Sequence, residues 1–104
     1  LFIVSPATAN TIAKLAHGFA DNMVTSTALS LPQNIPKLLA PAMNTKMYDH
    51  PATQTNLKTL ETYGYKLISP KESLLACGDY GRGALADLDI ILERIKETLN
   101  EKTI

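Results

Sequence analysis

The sequence predicts an α/β fold built on an open parallel sheet, and three observations carry that expectation. The chain opens on Leu1-Phe2-Ile3-Val4, a continuous apolar run that reads as a strand covered on both faces. Two further short runs, residues 37–40 and 65–68, have strand character, and helical periodicity fills the intervals between the three. Strand and helix in alternation favour parallel pairing through right-handed crossovers.

Each element follows from local pattern. The first strand, residues 1–4, is ended by Ser5-Pro6. A helix is expected over about 10–20, where Ile12, Leu15, Ala16, Phe19 and Ala20 form one stripe facing the sheet. Gly18 inside that span argues for an interruption or for close packing. Residues 23–31 read as a second short helix closed by Pro32. After the strand at 37–40, Pro51 suits the first turn of a helix, which turns Leu57, Leu60 and Tyr63 inward and stops at Gly64. The third strand, 65–68, leads into a long connection, 69–86, containing Gly78, Gly81 and Gly83. Asp87 is placed to cap the last helix, with Leu88, Ile91, Leu92, Ile95 and Leu99 as its stripe, and the tail beyond Asn100 is expected to fray.

The 104 residues suffice for one modest domain with a core. Ten lysines and arginines balance ten aspartates and glutamates, which gives no electrostatic reason to expect nucleic acid or a membrane surface as partner. No apolar run approaches the roughly 20 residues of a membrane span, and none reads as a signal peptide. A single cysteine, Cys77, forms no internal disulfide, so a reducing, cytoplasmic setting is expected. A buried-type strand at the very start, without an initiator methionine and with few strands left to flank it, is read as the C-terminal part of a single longer domain, its N-terminal part missing.

Chemistry concentrates in the loops that follow the three strands, which a parallel sheet brings to one edge, where open α/β sheets bind ligands. The first is Ser5-Pro6-Ala7-Thr8-Ala9-Asn10-Thr11. Its small residues allow close backbone approach, and the free N–H groups of a helix start suit a phosphate. The plainer reading is an N-cap by Thr8 or Asn10. The second is Pro41-Ala42-Met43-Asn44-Thr45-Lys46-Met47-Tyr48, which places two methionines and an aromatic where a solvated turn needs none. Its methionines could simply fill the core, but Asn44 offers a neutral donor and acceptor able to grip a carboxylate. The third runs from Leu74 to Gly83 and puts Cys77 at the start of a glycine-rich stretch able to act as a lid. A lone cysteine is most often a buried hydrophobe; on such a flap it is a candidate for proton transfer or nucleophilic work. His17 and His50 lack the neighbours of a metal site, so none is expected.

Together and in this order the three loops resemble those of the homo-oligomeric flavin-containing cysteine decarboxylases. Pro6-Ala7-Thr8-Ala9-Asn10-Thr11 is similar to that family's Pro-Ala-Ser-Ala-Asn-Thr flavin motif, residues 41–48 to its Pro-x-Met-Asn-x-x-Met-Trp motif, and Ala76-Cys77-Gly78-Asp79 to its substrate clamp. The resemblance covers nearly the whole chain. It implies a flavodoxin- or Rossmann-like fold in three layers, with FMN as cofactor contacted by Thr8, Ala9, Asn10, Thr11, Ala42 and Met43. It further implies Asn44 on the substrate carboxylate, Leu75 and Ala76 lining the clamp, and Cys77 as proton donor. Within the family the likeness is greatest to enzymes that convert 4′-phosphopantothenoylcysteine to 4′-phosphopantetheine in coenzyme A biosynthesis. The alternatives are a peptidyl-cysteine decarboxylase of lantibiotic maturation and a non-catalytic flavin-binding regulatory relative. A homo-oligomer, trimer or higher, is expected by the same resemblance. Thr8 stands for the family's serine and Tyr48 for its tryptophan. The family's catalytic histidine lies upstream of the flavin motif, and neither His17 nor His50 matches it, so residues 1–104 alone are expected to be inactive.

Overall fold

A computed structural model describes residues 1–74 and 80–101. Three parallel strands, β1 (Phe2–Ala7), β2 (Lys37–Pro41) and β3 (Tyr65–Leu67), form an open sheet in the order β1-β2-β3. The register pairs Ile3 with Leu38 and Leu38 with Lys66. Helices α1 (Ala9–Ala16) and α2 (Met23–Ser30) separate the first two strands, and α3 (Thr45–Asp49) and α4 (Pro51–Thr62) the next two. An antiparallel hairpin, β4 (Lys71–Leu74) and β5 (Tyr80–Ala84), precedes the last helix, α5 (Leu88–Glu101).

The central strand explains the layering. Every residue of β2 is buried, and its consecutive leucines point to opposite faces, as strand geometry requires. Leu39 joins Val4, Ile12, Leu15, Leu57 and Leu60 beneath α1 and α4. Leu38 joins Ala40, Ile68 and Ile91 beneath α5. Helices therefore cover both faces of the sheet, in the three-layer arrangement expected.

Several elements depart from their expected bounds, each for a local reason. β1 continues through Pro6 to Ala7, its Ser5–Pro6 peptide being cis. Pro6 donates nothing to the ladder, and it falls where the β1–β2 register is irregular, between Val4 and Ala7. α1 stops at Ala16 rather than near residue 20. Gly18, at φ +73°, lets the Phe19 N–H reach the Lys14 carbonyl at 3.0 Å and its own N–H reach that of Leu15 at 3.5 Å, a Schellman closure. Phe19, expected on the buried stripe, is consequently 53% exposed. Beyond that turn the Lys14 ammonium donates to Asp21 at 2.5 Å and holds its carboxyl below the usual range.

Tyr63 likewise caps α4 instead of facing the core, and its hydroxyl donates to the Ala16 carbonyl at 3.4 Å. The buried side of α5 is Ile91, Ile95 and Thr98, while Leu88, Leu92 and Leu99 of the expected stripe are exposed. The Asp87 carboxylate at its start pairs with Lys71 at 2.7 Å. The segment 69–86, expected as an irregular connection, is organised by the β4–β5 hairpin. Among the described residues no helix is long and apolar enough to cross a membrane.

Candidate functional site

The first two loops meet at the carboxyl edge of the sheet. Thr8 leaves β1 in extended conformation and becomes the N-cap of α1, its Oγ1 accepting from the Thr11 N–H at 3.2 Å. The plainer of the two sequence readings therefore holds for Thr8, though not for Asn10, which lies inside the helix and is exposed. Capping does not consume the loop's binding capacity. The Ala9 and Asn10 N–H groups start the helix and have no partner within it, and the first turn carries no acidic residue to offset its positive end.

Across the edge, the Ala42 N–H donates to the Ala7 carbonyl at 3.0 Å, which prolongs the β1–β2 pairing by one bond. The second loop is thereby fixed beside the first. Asn44 then caps α3, its Oδ1 accepting from the Met47 N–H at 2.9 Å. The expected loop is thus partly helical. An asparagine followed by helix-forming residues was the available signal, masked by Pro51, which marks a stronger start only seven positions on. The cap has a chemical consequence. With its oxygen held by the helix, the exposed Asn44 amide keeps its NH₂ group for an outside acceptor.

Of the unusual apolar residues in this loop, Tyr48 is buried in the core beneath α4 and Met43 packs partly buried against it. Tyr48 is therefore a structural residue of this chain. Met47 stays 44% exposed.

The third segment reaches the same place through Gly83. The Met43 N–H donates to the Gly83 carbonyl at 2.8 Å, joining β5 to the second loop. Gly83 sits at φ +139°, and a methyl group there would overlap the Met43 carbonyl. The glycine thus permits a backbone approach that no side chain would allow. Its sequence signal was the glycine itself, but loop mobility and close packing leave the same letter. Leu75, Ala76 and Cys77, named from the sequence, lie outside the described residues.

The histidines are elsewhere. His17 ends α1 at the opposite edge from Thr8, and His50 caps α4, its Nδ1 accepting from the Ala52 N–H at 3.0 Å.

A parallel α/β sheet whose first helix starts without acidic residues, beside a buttressed amide loop, is the kind of edge at which open α/β sheets bind ligands. The chain belongs to the flavoprotein family, whose model matches residues 1–100. It is 64% identical over 99 residues to a probable phosphopantothenoylcysteine decarboxylase of Streptococcus mutans, covering 95% of this chain and 55% of the relative. Over 103 residues it is 47% identical to the coenzyme A biosynthesis bifunctional protein CoaBC of Bacillus subtilis, covering 99% and 25%. Its fold matches a cysteine-to-serine mutant of PPC decarboxylase complexed with pantothenoylaminoethenethiol, with a TM-score of 0.88, 37% identity and coverage of 94% and 54%. The FMN-binding protein AtHal3 matches with a TM-score of 0.87, 37% identity and coverage of 95% and 54%. The chain thus spans about half or less of the length of these relatives.

Proposed function

We infer that the protein is an FMN-dependent carboxy-lyase that converts 4′-phosphopantothenoylcysteine to 4′-phosphopantetheine. The observation that carries this is the convergence of three segments at one sheet edge, with Ala42 bonded to Ala7 and Met43 bonded to Gly83. The relatives named for that activity support the same reading.

The residues present fit FMN. Thr8, Ala9, Asn10 and Thr11 offer a helix N-terminus and hydroxyls for an anionic group, and Ala42 and Met43 approach from the second loop with small or apolar side chains suited to a flat ring. FMN, when bound, supplies a two-electron acceptor and donor. Asn44 binds the cysteinyl carboxylate through its free NH₂. A neutral donor orients the carboxylate without the strong ion pair that would oppose departure of carbon dioxide. Leu75 and Ala76 border the substrate, and Cys77 delivers the proton that completes the thiol product. The substrate is a small molecule, the protein acts in the cytoplasm, and it self-associates as a trimer or higher assembly. Neither histidine serves these loops, so residues 1–104 alone do not turn over.

The test is decarboxylation by the full-length protein with and without Cys77→Ser. The variant should release carbon dioxide, accumulate the oxidised, decarboxylated ene-thiol and fail to yield the saturated thiol. Completed turnover at the normal rate would remove Cys77 from the reaction. Preference for a peptide ending in cysteine would replace the substrate.

A further inference from the structure

A cavity of about 460 Å³ lies at the amino edge of the sheet, away from the three loops. That volume falls within the roughly 300–1,000 Å³ typical of small-ligand sites. Lys37 opens β2 and Tyr65 opens β3, and the two are register partners. Partners in a parallel sheet project on the same face, here the one beneath α1 and α4. Both line the cavity, and each is only 7% exposed.

Their polar ends are short of partners. The Lys37 ammonium, with three hydrogens to donate, makes one bond among the described residues, to the Ile35 carbonyl at 3.3 Å. Among the described residues no carboxylate pairs with it, although a lysine this buried normally has a counter-charge. The Tyr65 hydroxyl has no hydrogen-bond partner among the described residues. No polar side-chain atom among them is sealed from solvent without a partner, so this hydroxyl reaches solvent, and Tyr65 lines the cavity. Leu15, Phe19, Leu29 and Leu31 supply apolar wall, and no acidic residue contributes to the lining.

We propose that this cavity is a binding site for a small monocarboxylate with an apolar or aromatic body, its carboxylate held between the Lys37 ammonium and the Tyr65 hydroxyl. Among the described residues Lys37 is the one lysine or arginine of the lining, which matches a single negative charge, and the leucines and Phe19 favour a hydrocarbon body over a bare ion. The site is independent of the decarboxylation assigned above, since none of its residues belongs to the three loops.

Calorimetric titration of the full-length flavin-loaded protein with 3-phenylpropionate tests this, with 3-phenylpropionamide and inorganic phosphate as comparison ligands. Saturable binding is expected, weakened about tenfold or more in the amide and in Lys37→Met, as loss of a charge-assisted hydrogen bond implies. Leu29→Glu changes a side chain already 61% exposed. It should weaken binding without unfolding the protein, by placing a negative charge on the wall. The flavin spectrum should stay unchanged throughout. Equal affinity for acid and amide, full binding by Lys37→Met or Leu29→Glu, equal affinity for phosphate, or absence of saturable binding would each overturn the site. So would displacement of the probe by the decarboxylase substrate, which would place it at the loops instead.

Discussion

Asn44 has two uses for one amide: its oxygen closes the first turn of α3, and its nitrogen is the group proposed above to meet the substrate carboxylate. The two roles separate by substitution. Asn44→Ala loses both and should lower stability by about 1 kcal/mol, the usual worth of an N-cap. Asn44→Asp keeps an acceptor for the Met47 N–H, so thermal melting should hold close to wild type. Turnover should nevertheless fall at least about tenfold, because a carboxylate now faces a carboxylate. If Asn44→Asp retains normal kcat/KM, the amide has no part in substrate recognition. Thr8 admits a parallel comparison. Thr8→Ser preserves the bond to Thr11, whereas Thr8→Ala should weaken flavin retention, followed by flavin fluorescence, along with about 1 kcal/mol of stability. What sequence conveyed at this scale was the kind of group. Which atom of each group is already committed to a cap depends on helix starts that a one-dimensional reading resolves only to within a few residues.

Among the elements, the β4–β5 hairpin is the one whose placement depends on a single residue. Gly83→Ala must shift β5 away from Met43, because both the positive φ and the overlap with the Met43 carbonyl exclude a methyl group. Turnover per folded molecule should drop several-fold or more. Gly64→Ala is the control: its φ is +96°, but nothing stands within 4 Å of an added methyl. It should cost stability on the order of 1 kcal/mol, from backbone strain, and leave turnover per folded molecule unchanged. Equal catalytic loss in both variants would mean that the docking of β5 on the second loop is irrelevant to the reaction. The cross-strand pair of Glu72 and Arg82, 3.9 Å apart and exposed, adds little, and its removal should pass unnoticed in melting curves. The hairpin was illegible beforehand because its glycines erase the alternation by which a strand is read.

Across the whole molecule, β2 couples two cores back to back. Leu39→Ala opens the one beneath α1 and α4, Leu38→Ala the one beneath α5, and each should cost about 2–5 kcal/mol in denaturant unfolding. A loss below 1 kcal/mol at either position would contradict the sandwich described here. Alkaline pH provides a second global test. Burial raises the Tyr65 phenol above its ordinary value of 10.0. As pH rises past about 10 the unfolded chain releases this proton first, so folding loses stability from there up to the folded-state value, while below 10 nothing changes. Tyr65→Phe removes the contribution, and its unfolding free energy should fall less steeply above pH 10 than that of wild type. Identical slopes would show that the phenol is not held neutral by the fold.

The alternation of strands and helices and the buried character of the central strand were present in the sequence, because hydrophobic period and turn chemistry are local properties of a chain. Contacts between distant segments were not. That Gly83 rests on Met43, that Tyr48 is core while Asn44 is free on one side, and that Lys37 and Tyr65 stand side by side over a cavity were decided by the tertiary structure. Strand register and crossover geometry set those distances, and no neighbourhood along the sequence encodes them.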